Sequence, residues 1–124
     1  MAGLTLDAGA LIAYERRSER IREILGVAYS RGLVPTIPAV ALAEVWRGDA
    51  KDARIARLIK ACHVETIDEQ LARLAGSLRR KTPGAGAIDA CVAVGVLRRG
   101  DAIATSDPSD MRSLLGPDLT IMTV

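Results

Sequence analysis

Leu4-Thr5-Leu6-Asp7-Ala8-Gly9-Ala10-Leu11-Ile12-Ala13 places an apolar run too short for a helix before an acid, then continues in small and apolar residues. Leu4–Asp7 reads as a short buried strand and Ala8–Arg17 as a helix that starts directly after it. The same succession returns late in the chain, where a strand over Asp101–Thr105 leads through Ser106 and Asp107 into a short helix over Pro108–Leu115. Between them the signals keep alternating. Ser18–Arg31 is a helix with Ser18 as N-cap, Leu33–Ile37 a strand, and Pro38–Arg47 a helix with Pro38 at its first position. A helix from Asp49 or Ala50 through Lys60 exposes Lys51, Arg54 and Arg57, and Cys62–Ile67 alternates like a strand. Asp68 caps a helix to about Lys81, and Thr82-Pro83-Gly84-Ala85-Gly86 is a loop. Ala87–Arg99 is an apolar helix ended by Gly100, and Leu119–Val124 a last strand. Strands separated by helices imply a parallel sheet covered on both faces. Ligands of such sheets bind at the carboxyl ends of the strands, where the strand order reverses.

The 124 residues are 49% hydrophobic, which fits one compact domain over 1–124, without linker or repeat. Cys62 and Cys91 lie in apolar segments and are expected to be small core residues, since neither has zinc-ligand spacing. A strand signal near Met1 with no basic leader, and no long uninterrupted apolar run, lead to the expectation of a cytoplasmic chain without a membrane span. The net charge of +2 is too small to argue for a nucleic acid, but 14 of the 17 basic residues are Arg, whose planar fork suits phosphate. They cluster as Arg16-Arg17, Arg79-Arg80-Lys81 and Arg98-Arg99, which also suits solvated helix ends. With no Phe, one Trp and two Tyr, recognition of a nucleic acid by base stacking on an aromatic platform is not expected.

Five carboxylates stand in or beside apolar segments: Asp7, Glu44, Asp89, Asp107 and Asp110. A carboxylate is costly to bury unless it is paired or binds a metal. Asp89 shares a helix face with Val92, Ala93 and Val96. Each acid also has a local alternative: Asp7 and Asp107 as helix N-caps, Asp89 and Asp110 as first-turn acids favouring the helix dipole, Glu44 as an ion-pair partner of Arg47. Together they fall where the topology places one cleft. Carboxylates gathered there repel one another and call for a divalent cation.

The order of these segments resembles the PIN-domain nucleases. Thr5 to Ala13, with Asp7, is similar to their opening motif. Ile37-Pro38 through Ala43-Glu44 is similar to the second, Gly86-Ala87-Ile88-Asp89-Ala90 to the third, and Thr105-Ser106-Asp107-Pro108-Ser109-Asp110-Met111 to the fourth. Length and order resemble VapC-type toxins of bacterial toxin–antitoxin pairs. The resemblance implies a three-layer α/β/α sandwich with a central parallel sheet of roughly four to five strands. It also implies a metal-dependent endoribonuclease with Mg²⁺ or Mn²⁺ as cofactor, a homodimer, and a cognate VapB-type antitoxin in a hetero-oligomer. Carried over, Asp7, Glu44, Asp89 and Asp107 are the catalytic acids, and they bind the metal together with Asp110, an auxiliary acid of the same site. Ser106 is expected to hydrogen-bond a carboxylate or the attacking water. Gly9 is a departure, because a hydroxyl residue often stands at that place in the family.

The expected chemistry is in-line hydrolysis of an RNA phosphodiester by a metal-activated water. Arg79, Arg80, Lys81 and Arg112 are candidates to position the strand, with Arg112 expected nearest the acids. His63 is expected to be structural. A phospho-acceptor receiver domain fits worse, because one Asp rather than a pair follows the first strand and no Lys follows Lys81. A PIN nuclease of RNA processing and a partner-binding protein with a non-catalytic acidic site remain alternatives.

Overall fold

The computed structural model describes residues 2–124. Its sheet is all parallel and has five strands: β1 Leu4–Leu6, β2 Thr36–Pro38, β3 His63–Glu65, β4 Ala102–Thr105 and β5 Ile121–Thr123. They lie side by side in the order β3-β2-β1-β4-β5. The helices are α1 Ala8–Glu15, α2 Glu19–Ser30, α3 Ala39–Val45, α4 Ala53–Lys60, α5 Glu69–Lys81, α6 Ala87–Arg99 and α7 Pro108–Leu115. Right-handed crossovers require connections that leave a sheet in opposite directions to lie on opposite faces.

The apolar side chains divide accordingly. Leu4, Leu6, Ile37, Ala102 and Ala104 pack with Leu11, Ile21, Leu25, Ile55 and Leu58 of α1, α2 and α4. Ile103 packs on the other face with Leu71, Val92, Val96, Met111 and Leu114 of α5, α6 and α7. The result is the three-layer α/β/α sandwich. Cys62 and Cys91 are half-buried against these two cores rather than inside them. No helix among the described residues is long and apolar enough to cross a membrane.

Several boundaries differ from those expected. The second strand is Thr36–Pro38 instead of Leu33–Ile37, because Leu33 still belongs to the end of α2: its N–H donates to Ala28 O at 2.9 Å, past Gly32 with φ +69°. Pro38 ends β2 in an extended conformation and precedes α3. That helix stops at Val45, before Arg47, because the buried Asp52 carboxylate accepts the N–H groups of Arg47, Gly48 and Asp49. Arg54 is not simply solvated, since its guanidinium lies 5.0 Å from the Tyr14 ring centroid.

Arg99 turns inward beneath α6. It donates to Glu65 and, at 2.8 Å, to Asp101 Oδ2, and it reaches Thr5 Oγ1 at 3.0 Å. Thr5 in turn donates to Asp101 Oδ2 at 2.8 Å. The pair Arg98-Arg99 is therefore not a uniform basic patch.

Candidate active site

β1 and β4 are neighbours at the place where the strand order reverses, with β2 and β3 continuing to one side and β5 to the other. Connections departing in opposite directions leave a crevice at the carboxyl ends of those two strands. Asp7 follows β1 directly, and Asp107 stands between β4 and α7. Asp89 is in the first turn of α6, Asp110 in the first turn of α7, and Glu44 near the end of α3.

Asp7 is the one of the five that is buried. It is the N-cap of α1, accepting the Ala10 N–H at 2.9 Å, so its local alternative and its place in the crevice hold together. Burial raises its pKa above the ordinary carboxylate value. The nearby Thr105 side chain and the hydrogen bond from the Ala10 N–H oppose the shift, and the charges of Asp89 and Asp107 add to it. Thr105, not singled out in the sequence, accepts the Asp107 N–H on its hydroxyl at 3.0 Å. That hydroxyl holds the turn that carries Asp107, and beside it the Asp7 N–H donates to Ala104 O at 3.3 Å. The register that pairs Leu6 with Ala104 brings it there, and nothing in the local sequence signals that register.

Asp89 is half-buried, and its pKa is raised by burial, then by Asp107 and Asp110. Glu44 is exposed, but loss of water around its carboxyl, then Asp89 and Asp107, raise it too. Asp107 enters all three shifts, so the five acids share one electrostatic field. Glu44, Asp107 and Asp110 are exposed although each stands in or beside an apolar segment. On α3, Ala41 and Val45 take the buried face and leave Glu44 at the rim. Nor does Glu44 pair with Arg47, whose guanidinium lies 2.6 Å from Glu15 and 3.7 Å from Asp52. Asp107 occupies the N-cap position of α7 without a side-chain capping bond.

Among the described residues, no three acid, His or Cys side chains stand close enough to ligate one ion as they are placed. The donor set nevertheless fits a hard divalent cation. All the donors are carboxylate oxygens, neighbouring carboxylates raise the pKa of Asp7, Glu44 and Asp89, and no protein cation figures among the causes of those shifts.

The remaining candidates divide between this cleft and surfaces away from it. A hollow of about 190 Å³ is lined by Thr82, Gly84, Gly86, Asp89, Asp110 and Ser113, among others. A second hollow, lined by Gly76, Arg79, Arg80, Gly84 and Ala85, adjoins it through the shared Gly84 and Ala85. Arg79 Nε donates to Ala85 O at 3.1 Å, tying the basic cluster to the loop. Lys81 lines a separate, mostly apolar hollow with Leu74, Leu78, Val94 and Leu97. Arg112 is directed away to the end of α7, donating to Gly116 O at 2.9 Å and Leu119 O at 2.8 Å. Ser106 is exposed, and its hydroxyl rests over Gly9. His63 is exposed at the amino end of edge strand β3.

A match to the PIN domain family covers residues 4–113. No curated protein matches the chain in sequence. Among solved structures, the chain is similar to VapBC2 from Rickettsia felis, bound to a DNA fragment from its promoter. That match has a TM-score of 0.79 at 11% identity over 98% of both chains. DNA-bound VapBC from Salmonella typhimurium gives 0.73 at 23% identity, covering 99% of this chain and 98% of that one. A toxin–antitoxin complex from Klebsiella pneumoniae gives 0.72 at 15% identity, covering 87% and 89%.

Proposed function

Because the chain belongs to the PIN domain family, we propose that it is a metal-dependent endoribonuclease and the toxin of a VapBC-type toxin–antitoxin pair. The observation that carries the reading is the gathering of acids at the carboxyl ends of β1 and β4, where neighbouring carboxylates raise the pKa of Asp7, Glu44 and Asp89 and no protein cation is among the causes. In this reading Asp7, Glu44, Asp89 and Asp107 hold Mg²⁺ or Mn²⁺, and Asp110 assists at the rim. A cation held there would supply a water of lowered pKa and would neutralise charge on the leaving oxygen. Asp7 is the fixed member, buried and held by the Ala10 N–H. The exposed Glu44, Asp107 and Asp110 are the members able to adjust. Arg79 and Arg80 hold the RNA backbone as it passes the Thr82–Gly86 loop; Lys81 and Arg112, turned to other surfaces, take no part at the cleft. The complexes formed by VapBC relatives support a VapB-type antitoxin as partner. A homodimer, a toxin–antitoxin hetero-oligomer and a cytoplasmic setting belong to the same reading.

The test is cleavage of total cellular RNA by the purified, partner-free protein with Mg²⁺ or Mn²⁺, with EDTA, and with Asp89→Asn, mapping new 5′ ends. Discrete cuts that need metal and vanish in the variant are expected. An Asp89→Asn protein cutting at the wild-type rate would sink the assignment.

A further inference from the structure

We propose that the contact between Gly9 and Ser106 sets the spacing of Asp7 and Asp107, making the two a positioning pair for the acid site. The inference rests on the metal-site reading above. Gly9 lies inside α1, and its φ is not in the left-handed region, so the backbone does not call for glycine. Glycine is also a poorer helix former than the alanines on either side of it. What position 9 requires is the absence of a side chain. A Cβ there would lie 2.7 Å from Ser106 Cβ and 2.9 Å from the Ser106 backbone N, with Ser106 Oγ nearer still. Turning the serine to another rotamer clears the hydroxyl only, because Cβ and the backbone nitrogen stay where they are. Gly26, Gly76 and Gly86 have nothing within 4 Å of such a Cβ.

The contact joins the two segments that carry the acids. Gly9 is in the first turn of α1, which the Asp7–Ala10 cap fixes to Asp7. Ser106 stands between Thr105 and Asp107, whose N–H donates to the Thr105 hydroxyl, just after Ala104, whose carbonyl accepts the Asp7 N–H. The turn after β4 therefore rests directly on the first turn of α1. A side chain at position 9 levers that turn outward and carries Asp107 away from Asp7.

Mn²⁺ titration of the purified, partner-free protein tests this, with circular dichroism and melting of the metal-free protein as the check on folding. Gly9→Ala is expected to stay folded and bind Mn²⁺ about tenfold more weakly or worse. Adding Ser106→Gly to Gly9→Ala removes two of the three crowding atoms and should recover much of that affinity. Gly26→Ala should bind like wild type. Should Gly9→Ala fail to fold, Ser106→Val applies the crowding from the exposed turn, and the same weakening is expected. Wild-type affinity in Gly9→Ala, or in Ser106→Val where that variant is needed, overturns the proposal. So does a double variant that binds no better than the single one. A wild-type protein that binds no Mn²⁺ removes the metal-site reading itself, an outcome distinct from equal binding by wild type and variant.

Discussion

At Asp7, one carboxylate caps a helix and contributes to a repulsive cluster. Burial and the charges of Asp89 and Asp107 raise its pKa, so the fold favours the protonated acid. The stability this contributes is complete below the unfolded value of about 4. It is lost as pH rises through the higher folded value. Glu44 and Asp89 shift in the same direction. In metal-free protein, Asp7→Asn keeps a capping oxygen and removes the charge. It is expected to melt at or above the wild-type temperature at neutral pH, with the gain closing as pH falls toward 4. Asp7→Ala should lose the cap, at a cost of about 1 kcal/mol. Thermal melts across pH check both, and an Asp7→Asn protein clearly less stable than wild type at neutral pH contradicts the account. Asp7 was legible as an acid between a strand and a helix. Thr105 was not, because its role depends on a neighbouring strand nearly a hundred residues away in the chain.

Among the elements, the passage from α3 to α4 shows a boundary set by a side chain rather than by periodicity. Asp52 reaches back to accept N–H groups from Arg47, Gly48 (2.6 Å) and Asp49. Burial alone would raise the Asp52 pKa, but these N–H groups and the Arg47 charge outweigh it and hold the carboxyl below its ordinary value. Its stabilisation is therefore present at neutral pH and is lost as pH falls through the lowered pKa. Asp52→Ala is expected to lower the melting temperature at neutral pH, and the gap to wild type should narrow under acid. Hydrogen exchange at the Arg47, Gly48 and Asp49 amides should accelerate in the variant. Unchanged protection of those amides would show that the carboxylate does not hold the turn. The apolar pattern of α3 could not reveal this stop, because the competing acceptor lies beyond the helix. Gly100 was readable, since a glycine after an apolar helix supplies the left-handed cap seen at φ 68°.

For the whole molecule, the strand order brings the acids to one edge and the Arg79–Arg80 hollow alongside them. If RNA follows that path, its phosphates are the ligand of the basic cluster. In an Asp89→Asn background, so that RNA is bound but not cut, Arg79→Ala with Arg80→Ala should weaken binding to RNAs of different sequence by similar factors. The dependence of log affinity on log salt should flatten by about 0.7 for each phosphate that an arginine no longer neutralises. Fluorescence anisotropy over a salt series measures this, and an unchanged slope would move the RNA path elsewhere. The sequence by itself determined the alternation of strands and helices, the acids that end strands or open helices, and hence a parallel sheet with an acidic edge. Those signals act over a few residues and need no knowledge of neighbours. Only the tertiary structure decided that Leu6 lies beside Ala104, that Arg99 turns in to Glu65 and Asp101, that Glu44 stays at the rim, and that Ser106 rests on Gly9. These are pairings and close approaches between distant segments. They follow from how two apolar layers close on one sheet, which no local pattern encodes.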